Sequence, residues 1–205
     1  MIQKKIKNLI FDFGGVLIDL DRQRCIERFR QLGLTDVEDM LGLYAQQDFF
    51  RKHEKGLITD AEFRDTIRTL SGRQLTDARI DDAWNSFLVG ISPSKLDMLL
   101  HLRKDYVIYL LSNTNHIHWQ WACENAFPYK SFRVEDYFEQ IFLSYEMKMA
   151  KPSPEIFQAV LSETGIEPSE TLFIDDSADN CRAAAALGID TYNAKPHEDW
   201  SRLFG

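Results

Sequence analysis

Five short runs of consecutive apolar residues stand out along the chain, each bounded by polar or turn residues: KNLIFD (7–12), YVIYLLS (106–112), QIFLS (140–144), TLFIDD (171–176) and IDTYN (189–193). Runs that are apolar at successive positions predict strands covered on both faces, as a parallel sheet demands. Between the later runs the period changes. PSPEIFQAVLSETG sets Ile156, Phe157, Val160 and Leu161 at helical spacing and stops at Gly165. NCRAAAALG predicts a short alanine-rich helix ending at Gly188. Strand and helix in alternation predict βαβ units with right-handed crossovers: an α/β, Rossmann-like, doubly wound parallel sheet.

The first two runs are spaced differently. Roughly ninety residues part them, far more than one crossover needs. That interval is helical in pattern. DRQRCIERFRQLG puts Cys25, Ile26, Phe29 and Leu32 on one face, and TDAEFRDTIRTLSG opens with a capping box, Thr59 and Glu62, and ends near Gly72. TDARIDDAWNSFLVG follows, and then SPSKLDMLLHLRK, with Ser92 as N-cap and Pro93 at the first helical position. The last of these belongs with the sheet. The predicted organisation is a core of 1–17 and 91–205 with a small α-helical cap, 18–90, inserted after the first strand.

Composition narrows the class. A hydrophobic fraction of 44% and a charged fraction of 27% over 205 residues are those of an ordinary globular chain. The net charge of −8, without a basic block, predicts no nucleic-acid partner. Cys25, Cys123 and Cys181 are odd in number and far apart, which suits free thiols in a reducing compartment. No run approaches a membrane span and no signal peptide precedes Asp12, so the expected setting is cytoplasmic with no membrane partner. Oligomeric state has no signature here.

Ligands of open α/β sheets sit outside the carboxyl ends of the strands. Four such ends carry chemistry: Asp12-Phe13-Gly14-Gly15, Ser112-Asn113-Thr114-Asn115, Lys151-Pro152, and Asp175-Asp176 with Asp179 and Asn180 behind. Three carboxylates at one sheet edge repel unless a cation compensates, and oxygen ligands at that density suit Mg²⁺ together with a substrate phosphate. The glycines after Asp12 would let backbone N–H groups approach an anion. Ser112 could hydrogen-bond a phosphate oxygen and Lys151 could neutralise its charge. Asp12 would then attack phosphorus as a nucleophile.

FDFGGV, LLSNTN, KPSPEIF and FIDDSADN, in this order, resemble the four motifs of the haloacid dehalogenase (HAD) superfamily, and the helical insert resembles its cap. Within the family, FDFGGV, HEKG (53–56) and LSNTN are similar to small sugar-phosphate phosphatases, the bacterial α-D-glucose-1-phosphate phosphatase-like group. The resemblance implies a Mg²⁺-dependent phosphatase acting on a small phosphorylated metabolite, a sugar phosphate by preference. It implies Asp12 as nucleophile and metal ligand, with Ser112, Asn113 and Gly15 around the phosphate. Lys151 would stabilise the nucleophile. The Gly14 backbone carbonyl and Asp176 would complete the metal site, with Asp175 supporting the metal or Lys151.

One residue departs from the pattern. Phosphatases of this family usually carry a second aspartate two positions after the nucleophile, as general acid and base, and this chain has Gly14 there. Losing a positioned acid typically costs about 10²–10⁴-fold in rate. Three readings follow: a phosphatase in which Asp19, Asp21, a cap residue or water moves the proton; a phosphonatase or dehalogenase type, with Lys52 or Lys55 as a Schiff-base lysine; or a non-catalytic phospho-ligand-binding protein. Asp19 and Asp21 read better as loop and N-cap. His53 and Glu54 in FFRKHEKG, and Asn115 and His116 after the second motif, are candidates for substrate selection. Phe49, Phe50 and Trp84 read as core, NHIHWQWACENAF as a surface helix, Asn180 as a loop-fixing residue, and Asp190 and the tail HEDWSRLFG (197–205) as structural.

Overall fold

The computed structural model describes residues 5–40, 48–195 and 198–204. From the N-terminus come β1 (Asn8–Phe11), β2 (Asp19–Leu20), α1 (Arg22–Leu32), α2 (Val37–Met40), α3 (Asp48–Glu54), α4 (Asp60–Ser71), α5 (Asp77–Asn85) and β3 (Leu88–Gly90). The chain continues with α6 (Pro93–Leu102), β4 (Val107–Ser112), α7 (His116–Asn125), α8 (Val134–Tyr137), β5 (Gln140–Leu143) and α9 (Ser144–Met147). It closes with α10 (Pro154–Thr164), β6 (Thr171–Asp175), α11 (Ala178–Ala185) and β7 (Asp190–Asn193). Each of the five apolar runs is a strand of one parallel sheet, ordered β5-β4-β1-β6-β7.

Both faces of that sheet are covered, which is why the runs lack alternation. Leu9, Phe11, Ile108, Leu110, Leu172 and Ile174 pack into a cluster on one side, where Leu96, Leu99 and Leu102 of α6 also lie. Ile10, Tyr109, Leu111 and Phe173 face the other side, against Ile156, Phe157 and Val160 of α10. The chain builds outward from β1 to β4 and β5, then crosses to β6 on the other flank of β1. That reversal makes a crevice at the carboxyl ends of β1 and β6, the usual ligand position in such sheets.

The insert leaves and returns through the antiparallel pair β2 and β3, which is too short to give a sequence pattern. Its helices close over their own cluster, which includes Cys25, Ile26, Phe29, Phe50, Phe63 and Trp84. The capping box at Thr59 and Glu62 is present, as are the Ser92 N-cap and the αL glycines Gly72 and Gly165. Asp21 caps α1 by accepting from Arg24 N–H at 2.9 Å. In the tail, Trp200 is buried and donates to Val16 O at 3.1 Å, pinning the loop after β1; His197 and Gly205 lie outside the described residues. Among the described residues no helix is long and apolar enough to cross a membrane.

Candidate active site

Phe11 pairs in register with Leu110 on one side and Ile174 on the other. Asp12 therefore emerges beside Asp175, and its N–H donates to Ile174 O at 2.9 Å. Lys151 arrives from the loop before α10 and is buried to 4% exposure. Its ammonium lies 2.7 Å from Asp12 Oδ1, 2.7 Å from Asp175 Oδ2 and 2.8 Å from Leu111 O, which accounts for all three of its protons. Burial alone would lower the Lys151 pKa, but Asp12 and Asp175 outweigh it and raise it. Burial raises Asp12, Lys151 pulls it back, and Asp175 and Asp176 push it up again.

The two aspartates after β6 have different surroundings. Asp175 is fully buried; Oδ1 accepts from Ser177 N–H at 2.8 Å and Asn180 Nδ2 at 3.0 Å, and Oδ2 accepts from Lys151 and Asn180. Both its oxygens are engaged, so of its two expected roles the geometry favours holding Lys151. Asp176 is exposed on the cavity wall and, among the described residues, no side-chain hydrogen bond reaches its carboxylate. One oxygen each from Asp12, Asp175 and Asp176 lies within 4.8 Å of the others. The Gly14 carbonyl accepts no hydrogen bond among the described residues and Gly14 lines the same cavity. An unengaged carbonyl beside two carboxylates with free oxygens is a donor set suited to Mg²⁺.

The cavity holds about 490 Å³, the size of a small metabolite pocket. Asp12, Gly14, Asn113, Lys151 and Asp176 line it from the core, and Arg22, Glu54 and Trp84 from the insert. Trp84 is core and wall at once. Its ring stacks on His118 at 4.2 Å, and His118 Nε2 donates to Trp84 O at 3.1 Å. Burial drives the His118 imidazole down to about 3, against a smaller upward pull from that carbonyl, so it is neutral.

Several expected positions fall elsewhere. Gly15 turns its N–H to Ile18 O at 2.9 Å and is not among the residues that line the cavity. Ser112 is buried at the end of β4, behind Asn113 and Thr114 on the cavity wall. The Asn113 amide clamps the Lys151 backbone, donating to its carbonyl at 2.8 Å and accepting from its N–H at 2.9 Å. His53 is turned away from the cavity: its ring stacks on Phe63 at 4.4 Å and Nε2 lies 2.8 Å from Asp60 Oδ1. His116 reaches Asp60 Oδ2 at 2.7 Å, on a separate cavity of about 280 Å³. Asn115 is the N-cap of α7, accepting from His118 N–H at 3.1 Å. That helix lies at the surface as expected, with His116, Gln120, Glu124 and Asn125 exposed and Trp119 and Trp121 packed partly buried on the core, while Ile117 and His118 are buried against the insert. Of the four selection candidates, Glu54 alone lines the cavity. Burial pushes its carboxyl up to about 7, with a smaller opposing pull from Arg51. Neither Lys52 nor Lys55 lines it. His118 and Asn113 are the residues whose parts sequence reasoning missed, since both depend on partners distant in the chain.

Residues 6–188 match the haloacid dehalogenase-like hydrolase family, and the chain belongs to that family of hydrolases. It is 40% identical over 195 residues to D-ribitol-5-phosphate phosphatase of Bacteroides thetaiotaomicron, spanning 95% of each chain. A HAD family enzyme of Bacteroides thetaiotaomicron, crystallised as an aspartate-to-alanine variant with magnesium and inorganic phosphate, superimposes with a TM-score of 0.96. The two are 60% identical, over 98% of this chain and 99% of that one. A HAD-like family hydrolase of Porphyromonas gingivalis superimposes at 0.90, with 36% identity and 98% of both chains covered.

Proposed function

We propose that this chain is a Mg²⁺-dependent phosphatase that hydrolyses a small sugar or sugar-alcohol phosphate through an aspartyl-phosphate intermediate, with residues 18–90 acting as its cap. The observation that carries this is the buried Asp12–Lys151–Asp175 chain, opening onto a cavity with Asp176 on its wall. The 40% identical relative acts on ribitol 5-phosphate, and the 60% identical one was crystallised with magnesium and phosphate. Asp12, Asp176 and the Gly14 carbonyl would hold the metal. When bound, Mg²⁺ offsets negative charge on the phosphoryl oxygens.

Asp12 is prepared for attack on phosphorus. Its Oδ1 accepts from Phe13 N–H at 2.7 Å and from Lys151, which fixes the carboxylate plane and favours the ionised form. Lys151 cannot swing away without breaking contacts to Asp175 and Leu111 O, so its charge stays beside the nucleophile through the reaction. Attack breaks the bond between phosphorus and the leaving oxygen, and water then cleaves the acyl phosphate to release inorganic phosphate and restore Asp12.

The test is phosphate release from ribitol 5-phosphate and a panel of sugar phosphates, with Mg²⁺ and with EDTA, for wild type and Asp12→Asn. Metal-dependent release that falls to background in the variant is expected. Release unaffected by EDTA or by the substitution would overturn the proposal.

A further inference from the structure

Ester cleavage leaves an alkoxide on the departing sugar unless something protonates it, and no acidic side chain follows Asp12 in the loop where Gly14 stands. The cavity offers few alternatives. All three protons of Lys151 are engaged. His118 donates its Nε2–H to the Trp84 carbonyl, and Asp179 is paired with Arg182. Asp12 is the attacking group, and Asp176 faces the proposed metal. Arg22 does not release its proton in the working range of an enzyme.

Glu54 remains. It ends α3, lines the cavity from the insert, and among the described residues no hydrogen bond or ion pair reaches its carboxyl. Its backbone is fastened to the core: Ser144 Oγ lies 2.6 Å from Glu54 O, and Lys148 Nζ donates to Gly56 O at 2.6 Å. The turn between them is pressed so close that a Cβ on Gly56 would sit 2.1 Å from Tyr145 O. These contacts fix the backbone from which the Glu54 side chain lines the cavity. In-line displacement sends the leaving oxygen away from Asp12, toward whatever covers the site.

Resting on the phosphatase reading, we propose that Glu54 is the catalytic acid and base that Gly14 does not supply. As Asp12 bonds to phosphorus, the electron pair of the breaking P–O bond stays on the leaving oxygen, which takes the Glu54 proton and departs as an alcohol. The Glu54 carboxylate then takes a proton from the water that attacks the acyl phosphate. Phosphate leaves, Asp12 is restored as a carboxylate, and Glu54 is again protonated. Burial holds the Glu54 carboxyl at about 7, where one group can give and recover a proton near neutrality. The charged and titratable groups around it are Arg51 on its own helix, Arg22 on α1, and Asp12, Lys151, Asp176, Asp179 and His118 on the core.

The experiment compares wild type with Glu54→Gln on an alkyl ester, ribitol 5-phosphate, and on p-nitrophenyl phosphate, whose leaving group departs without a proton. kcat/KM is read because it reports steps through the first P–O cleavage. A loss of about 10²–10⁴-fold on the alkyl ester is expected, with a loss at least tenfold smaller on the aryl ester and disappearance of the pH limb near 7. Turnover of the aryl ester shows the variant folded; if Glu54→Gln is inactive on both, Glu54→Asp serves as the second variant, and a selective alkyl-ester recovery supports the role. Equal losses on both esters in both variants, or no loss, would overturn it while leaving the phosphatase intact. No release by wild type from either ester would remove the phosphatase reading and this inference together.

Discussion

A Cβ on Gly15 would lie 2.3 Å from Asp176 Oδ2, at a backbone φ of +74° that L side chains rarely adopt. The glycine pair after Asp12 thus has two different jobs. Gly14 lines the cavity with a carbonyl that accepts no hydrogen bond among the described residues, and Gly15 allows the loop to lie against the Asp176 carboxylate. Gly15→Ala is expected to cost about 1–2 kcal/mol from backbone strain alone. It should also push Asp176 from its place, so the rise in Tm that Mg²⁺ gives the wild type should shrink or vanish. Thermal unfolding with Mg²⁺ and with EDTA measures both effects, and an undiminished Mg²⁺ shift in the variant would show that Asp176 tolerates the displacement. The same scale explains Asp175. Three donors, Ser177 N–H, Lys151 and Asn180 Nδ2, make four hydrogen bonds to its two oxygens, which favours holding Lys151 and depends on Asn180 reaching back from α11.

Among the elements, the seam between insert and core is the informative place. Ser144, at the start of α9, accepts from Thr114 N–H at 3.0 Å and lies within hydrogen-bond reach of Glu54 O, so one hydroxyl ties the β4 loop, the β5 end and the insert together. Ser144→Ala should cost roughly 1–3 kcal/mol, because the buried Thr114 N–H and the part-buried Glu54 carbonyl lose their partner. Its effect on catalysis should exceed its effect on folding, with a larger fall in kcat/KM for an alkyl phosphate than for an aryl one. A variant with lowered Tm and unchanged kinetics would show the strap to be structural only. Elements of this kind explain where sequence reading succeeded. The five strands were legible because two-sided burial writes itself as consecutive apolar residues, and Asp12, Asp175 and Asp176 stood out because they sit at the ends of β1 and β6, whereas Lys151 comes from the loop before α10. β2 and β3 were not, being two and three residues long. Neighbouring helix positions point about 100° apart. His53 therefore turns to Phe63 and Glu54 to the cavity, and only the packing of the insert decides which is which.

Over the whole molecule, two carboxyls displaced in opposite directions shape stability against pH. Burial would raise Asp60, but hydrogen bonds from His53 and His116 outweigh it and hold it at about 2, so its contribution is present above its unfolded value and is lost as pH falls toward 2. Glu54 works the other way. Burial raises it from 4.5 to about 7, so between those values the folded chain keeps a proton that the unfolded chain has released. By linkage, stability must then fall as pH rises through that window and stay low above it. Glu54→Gln removes the titration. Relative to wild type, the variant should gain roughly 1–3 kcal/mol between pH 5 and pH 8. Denaturant unfolding in EDTA at the two pH values measures this, and contributions from Asp12, Asp176 and Asp60 cancel because both proteins carry them. Parallel pH slopes for wild type and variant would mean that Glu54 ionises at its ordinary value in the folded state. A steeper fall for wild type would mean that closing the insert over the cavity is what keeps this proton in place, at a cost in stability that a purely structural residue would not impose.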